Sequence, residues 1–477
     1  MNVLLLSLLA AASTEVVVAP TGDDAAAGTA AAPFRTVAHA LTVVADGDTI
    51  TLRGGTYAGN VVVSRNVTVR SWPGERARLY SAPGTGTNLV LSHRTGAVLR
   101  DLDFEGGTGY GVDFDACTDS LMDGCRVWGA DGDLVKVSPG SLRVTIRGCE
   151  IFGNLAPTAA EGIDAVMADY LTVQDTYIHD IQSDGAYAKG GCRFALFERC
   201  VFERCGLNPN TYGAGVLLGQ ATNPALPFTY ENEDGVVRNC IMRDINGAGM
   251  GAQGALRPKL YNNTLLNVAK LDRAAIVFIP GTKTPCADIE FRNNIVRVDP
   301  SSSRKLVWIY DGGLAGSIAA DRNRYFGGSG QFLDSRPGGG TFTLAAWQAA
   351  YAVDGSSTIG DPGLDATGHL LPGSFCIDQA ATIAGFSDDI DLGARTGAWD
   401  IGADEYAAAG GGPPAPVPAP APVPAASATP SGTADPADGK SHCGCGTIAE
   451  GAAPLWPILA ALGAILLIFR RRPFSPV

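Results

Sequence analysis

One seven-residue phrase returns eight times in the chain, and a chain built from a recurring unit this short has few architectures open to it. It reads Val98-Leu-Arg-Asp-Leu-Asp-Phe104, then Leu121-Met-Asp-Gly-Cys-Arg-Val127, Thr145-Ile-Arg-Gly-Cys-Glu-Ile151 and Thr172-Val-Gln-Asp-Thr-Tyr-Ile178. It recurs as Leu196-Phe-Glu-Arg-Cys-Val-Phe202, Val236-Val-Arg-Asn-Cys-Ile-Met242, Leu260-Tyr-Asn-Asn-Thr-Leu-Leu266 and Glu290-Phe-Arg-Asn-Asn-Ile-Val296. The fifth positions fall at 102, 125, 149, 176, 200, 240, 264 and 294, in steps of 23, 24, 27, 24, 40, 24 and 30 residues. Stacked units with occasional loop insertions produce such spacing.

Within each phrase apolar residues alternate, and the residue before the fifth position breaks the pattern. The breakers are Asp101, Gly124, Gly148, Asp175, Asn239, Asn263 and Asn293, with Arg199 as the exception. Gly, Asn and Asp enter left-handed backbone at low cost, so every unit bends at the same point. Strand, left-handed corner and strand, repeated, predict an all-β right-handed parallel β-helix over residues 48–330, a solenoid whose alternate side chains fill one continuous core. Pro33 to Ala45 reads as an amphipathic helix with Phe34, Val37, Leu41 and Val44 on one face, which assigns residues 14–47 to an N-terminal cap. Residues 331–406 are assigned to C-terminal coils and a closing cap, with Asp388-Asp389 placed away from the coils.

Composition agrees with a turn-rich β protein: 61 Gly and 29 Pro disfavour a helical bundle. The net charge of −13 and the lack of a Lys/Arg cluster in the body of the chain exclude nucleic acid as a partner. Cys125, Cys149, Cys200 and Cys240 share the fifth position. They read either as a column of small buried residues or as coil-to-coil cross-links, and the shared position favours the column.

Both ends carry targeting signals. Residues 1–13 form an apolar run ending at Ala11-x-Ser13, which reads as an export signal peptide. Residues 407–442 are a Pro/Ala-rich linker, and residues 443–477 hold Cys443-Gly-Cys445, an apolar span from Leu455 to Phe469 and Arg470-Arg-Arg472. This tail resembles the MYXO-CTERM sorting signal of myxobacterial surface proteins. The resemblance implies an exported protein anchored in the membrane through its C-terminal span, cut by a sorting protease or transpeptidase, and displayed at the cell surface. Gly47-Asp-Thr-Ile50, Gly54-Gly-Thr-Tyr57, Asp361-Pro-Gly-Leu364 and Asp400-Ile-Gly-Ala-Asp-Glu-Tyr406 resemble the openings and closings of secreted β-helix proteins of the pectate-lyase-like superfamily. That superfamily holds lyases, hydrolases, epimerases and non-enzymes, so it implies the fold and a polysaccharide or cell-surface glycan as partner, not one reaction.

A further strand in each coil follows a glycine-rich corner. If Val112, Phe114, Ile163, Ala165, Ala186 and Ala188 point inward, then Asp113, Lys136, Asp164, Tyr187 and Lys189 share one outer face, flanked by Glu161 and Asp184. Calcium-assisted β-elimination on a polyuronate needs carboxylate oxygens for the cation and a basic side chain for the proton. Asp113, Glu161, Asp164 and Asp184 are the candidate calcium ligands, Lys189 and Lys136 the candidate bases, and Tyr187, Arg193 and Tyr212 the candidate substrate contacts. The alternative is a non-catalytic surface binding or adhesion solenoid, for which Tyr110, Trp128, Tyr170, Tyr187 and Tyr212 would be aromatic platforms. The Pro/Ala linker shares no repeat with the coils, so truncation after Tyr406 is expected to leave a folded, secreted, soluble domain. Membrane retention of that truncated form, followed by fractionation, would refute the anchor assignment.

Overall fold

The computed structural model describes residues 13–154, 160–209, 213–271 and 274–407. Of the expected signal peptide (1–13), Pro/Ala-rich linker (407–442) and tail (443–477), all but residues 13 and 407 lie outside the described residues. Among the described residues no helix is long and apolar enough to cross a membrane.

The chain is a parallel β-solenoid. Each phrase supplies two strands: Val98–Arg100 belongs to a first sheet and Leu102–Gly106 to a second, with Val112–Asp115 following in a third. Among the described residues each of the three sheets has 12 strands in sequence order along the axis, parallel throughout except for a closing antiparallel strand, Gly340–Phe342, in the third. A minor sheet joins Cys192–Arg193, Asn232–Glu233 and Ala255–Leu256.

Register makes the core. On the first sheet Leu99, Met122, Ile146, Val173, Phe197, Val237, Leu260 and Phe291 stand above one another, all fully buried. A period-2 strand that slipped by one residue would turn this entire column to solvent, so each coil fixes the register of the next.

The corners between the first and second sheets are left-handed as expected, with φ of 56° at Asp101, 64° at Gly124, 58° at Gly148, 52° at Asp175, 49° at Arg199 and 50° at Asn239. The seventh phrase needs a one-residue correction. Lys259 pairs with Val236, so the left-handed residue is Asn262 (φ 49°) and the fifth position is Asn263. A further coil, left out of the repeat, follows at Arg322 (φ 54°) and Asn323.

With that correction the fifth-position column runs Leu102, Cys125, Cys149, Thr176, Cys200, Cys240, Asn263, Asn294 and Asn323, every member buried. The nine described cysteines are all free, in accord with a column of small residues. From Asn263 onward the column becomes a hydrogen-bonded ladder. The Asn263 amide donates to Val237 O (2.9 Å) and its oxygen accepts from Cys240 N (3.0 Å). Asn294 repeats the pattern on Leu260 O (2.9 Å) and Asn263 N (3.0 Å), and Asn323 on Phe291 O (3.2 Å) and Asn294 N (2.9 Å). A buried amide satisfies corner backbone groups that a strand ladder cannot reach.

Both assigned caps contain more of the solenoid than the sequence suggests. Glu15–Val18 is already a strand of the first sheet, pairing with Thr49–Leu52, and the helix Val37–Val43 lays Val37, Ala40 and Leu41 against the core of the first coil. At the far end the helix Leu344–Tyr351, capped by Thr343, buries Trp347, and Thr358–Ile359 adds a last strand to the second sheet. The remaining segment does not stay at that end. It runs back along the first corner, where Asn293 Nδ2 donates to Ala381 O (2.8 Å), Asn262 Nδ2 to Asp400 O (3.2 Å) and Asn239 Nδ2 to Asp388 O (2.8 Å). Asp388, placed away from the coils by the sequence, ion-pairs with Arg199 at 2.7 Å, which gives this arginine at a corner an electrostatic partner.

Asn263→Ala is expected to cost about 1–3 kcal/mol in urea unfolding, because buried partners lose their hydrogen bonds. Asn262→Val is expected to cost about 1–2 kcal/mol, through left-handed strain. An unchanged midpoint for Asn263→Ala would contradict the ladder.

Candidate functional site

The third sheet carries the chemistry on its outer face. Its register places Asp113, Lys136, Asp164 and Tyr187 in one outward column over four successive coils, while Val112, Phe114, Ile163, Ala165, Ala186 and Ala188 point inward and are fully buried. Lys189, two residues beyond Tyr187, points outward from the same strand. The corner entering this sheet stacks Asp133, Glu161 and Asp184, whose backbones are linked from Leu134 N to Glu161 O (3.0 Å) and from Gly162 N to Asp184 O (3.1 Å).

These columns meet in one cluster. Lys136 Nζ donates to Asp164 Oδ2 and lies 3.8 Å from Asp133 Oδ2. Lys189 Nζ lies 3.9 Å from Asp164 Oδ1, donates to Tyr187 Oη at 2.8 Å and to Gln220 Oε1 at 3.2 Å, and stands over the Tyr187 ring. Asp184 accepts from Ala214 N (2.6 Å) and from Gln220 Nε2 (2.9 Å). Although they stand on an outer face, Asp164 is 4% exposed and Tyr187 is 2% exposed. The lysine side chains, at 12% and 16%, are the groups solvent reaches best among these pairs.

Burial at this density shifts the titrating groups. Glu161 is pushed far above the ordinary carboxylate range, first by burial and then by its hydrogen bond and charge contact with Asp133, so it is a neutral acid at physiological pH. Burial likewise raises Asp164, opposed by Lys189 and Lys136. Burial pulls Lys136 down, but Asp164 and Asp133 outweigh it and hold the ammonium above its ordinary value. The Tyr187 hydroxyl is raised by burial and by the surrounding carboxyls, so it stays protonated. Asp113 is raised by burial, while Ser138 donates to it at 2.8 Å.

Lys136, Lys189, Asp164, Tyr187, Glu161 and Asp184 are therefore brought together as expected. Other expected members are not. Arg193 is exposed and paired with Asp169, its Nε at 3.0 Å, beside the minor sheet. Tyr212 lies outside the described residues. Trp128 stacks on Phe152 at 5.6 Å on the second sheet and Tyr170 on Phe194 at 4.7 Å, so the aromatic residues do not form a common platform. His179, on the second sheet, belongs to a separate group with Asp180 (2.7 Å) and Glu150 (3.3 Å). Asp133 and Gln220 were missed. Asp133 precedes its strand just as Glu161 and Asp184 precede theirs, and that shared offset was the available signal.

The calcium expectation finds no gathered donor set. Among the described residues, the His/Cys/Asp/Glu groups with three ligand atoms mutually within 4.8 Å reduce to His369, Asp391 and Asp404, which excludes Asp113, Glu161, Asp164 and Asp184. In the cluster, lysine ammonium groups already stand where a cation would neutralise Asp164.

Residues 43–226 match the family described as the right handed beta helix region, and residues 20–62 match a family of proteins of unknown function, DUF1565. No curated protein matches. The chain has the right-handed parallel β-helix fold. Among solved structures, the pectate lyase Pel9A is 14% identical with a TM-score of 0.53, the alignment covering 83% of this chain and 97% of that one. XylC in complex with xylose is 10% identical with a TM-score of 0.48, covering 82% and 98%. PfbA, a surface adhesin of Streptococcus pneumoniae, is 10% identical with a TM-score of 0.46, covering 62% and 88%. At these identities the likeness establishes the fold alone.

Because Glu161 is raised in the folded state, its contribution is fully favourable below the carboxyl's unfolded value and is lost as pH climbs toward the folded one. Thermal stability is therefore expected to fall between about pH 5 and about pH 8, and Glu161→Gln to flatten that slope. Parallel slopes for the two proteins in thermal melts would contradict the assignment.

Proposed function

We propose that this protein acts on polysaccharide at the outer face of the third sheet, as a polyuronate lyase that uses its own lysines in place of a metal. One observation supports the reading above others: Lys136, Asp164, Tyr187 and Lys189 converge with a neutral Glu161 on a sheet face that a purely structural role would leave apolar or solvated. β-Elimination needs a positive charge against the uronate carboxylate and a base at the neighbouring C–H. Lys136, held charged by Asp164 and Asp133, serves as the charge. Lys189 takes the proton; the C–H electron pair becomes the new carbon–carbon double bond as the glycosidic C–O bond breaks. The resulting Lys189 ammonium, oriented by Tyr187 and Gln220, passes its proton to the leaving oxygen, so atoms and charge balance.

The second reading is a surface-displayed binding or adhesion solenoid. It is favoured by the ion pairing of both lysines with Asp164, which leaves neither amine unpartnered. Export, surface anchoring and processing of the tail belong to either reading and rest on the resemblance of the terminal segments.

Incubation with pectate, alginate and glycosaminoglycans, followed by the ultraviolet absorbance of the unsaturated product, separates the two. Turnover is expected to survive calcium chelation, to vanish in Lys189→Ala and to fall in Lys136→Ala with a raised KM. Turnover that requires calcium would replace lysine with metal as the neutralising charge. Retained glycan binding without product from any polyuronate would establish the binding reading.

A further inference from the structure

The returning C-terminal segment holds a second cluster, remote in sequence from the lysine site. His369, Asp391 and Asp404 come from three separate stretches, yet one ligand atom from each lies within 4.8 Å of the others. His369 Nε2 is 3.2 Å from Asp391 Oδ2. Asp404 is only 8% exposed; its Oδ2 accepts from Leu370 N at 2.7 Å, and its Oδ1 accepts no hydrogen bond among the described residues.

The imidazole is held in one orientation by its other nitrogen. Thr367 Oγ1 donates its single proton to Asp365 Oδ1 at 2.7 Å, because a carboxylate only accepts. Toward His369 Nδ1, 2.7 Å away, the same hydroxyl must therefore accept, which places a proton on Nδ1. In the neutral ring the Nε2 lone pair then faces Asp391 and Asp404. Facing two carboxylates, Nε2 carries either a proton or a cation. A hydroxyl that accepts from one imidazole nitrogen in this way fixes the tautomer of a metal-binding histidine.

We propose that His369, Asp391 and Asp404 bind a divalent transition-metal ion of the zinc class. One imidazole and two carboxylates suit zinc, whereas calcium prefers an all-oxygen shell. With three protein ligands, the fourth position is open to water. The ion ties residues 369, 391 and 404 together and so pins the segment that covers the corner at Asn239, Asn262 and Asn293.

The test uses the full chain in a Cys443→Ser, Cys445→Ser background, which removes the thiols of the tail as competing ligands. After chelator treatment and gel filtration, zinc chloride is titrated calorimetrically, with calcium chloride in a parallel arm. The expected result is one zinc per chain, no comparable calcium binding, and a melting midpoint raised by several degrees. His369→Ala and Asp391→Asn are each expected to weaken zinc binding at least about tenfold and to abolish the thermal shift, while Asp164→Asn leaves both intact. Asp391→Asn is nearly isosteric and half-buried, so an unchanged circular dichroism spectrum separates lost ligation from lost folding. Absence of stoichiometric zinc binding, or equal binding by His369→Ala, would overturn the proposal and leave the cluster as an imidazolium–carboxylate ion pair.

Discussion

Coil-to-coil register is the constraint on which the rest of this molecule depends. Each strand hydrogen-bonds only to the coil before and the coil after, so the position of every side chain is inherited along the axis. The left-handed corner enforces the inheritance: a residue at φ near 50–60° ends one strand and starts the next at the same height in each coil. Below Cys240 the buried column at that corner consists mostly of small side chains; beyond it, asparagine amides take over and bind the backbone directly. The switch coincides with the region where the C-terminal segment returns along the same corner.

The outer-face cluster is a product of the same register. Lys136 and Asp164 meet because their strands pair in register, and Asp133, Glu161 and Asp184 stack because the corner preceding the third sheet recurs at one height. Carboxyls brought this close out of water cannot all ionise, and two lysines compensate only part of the charge. A neutral Glu161 beside charged Lys136 and a protonated Tyr187 is the outcome.

The solenoid was legible in the sequence because its signal is repeated: a Gly, Asn or Asp breaker at one offset in seven of eight phrases. Its single register error arose where Asn262 and Asn263 stand together, since either can take a left-handed conformation and only the pairing of Lys259 with Val236 decides between them. Alternation likewise identified Asp113, Lys136, Asp164, Tyr187 and Lys189 as outward. It could not show that Arg193 turns away to Asp169, because that strand belongs to a minor sheet with no phrase of its own. The return of residues 361–406 along the corner was illegible for a different reason: it has no periodicity, and its contacts with Asn239, Asn262 and Asn293 span more than a hundred residues for two of the three. Those asparagines were read as corner formers, and they also anchor the returning chain.

The proposed function puts saccharide on the outer face of the third sheet. A crystal structure with a bound oligouronate tests it most directly. The sugar is expected across the strands Val135–Val137 and Ala186–Lys189, its carboxylate against Lys136 and a ring carbon against Lys189. Sugar bound instead on the second sheet, over Trp128, Phe152 and His179, would contradict it.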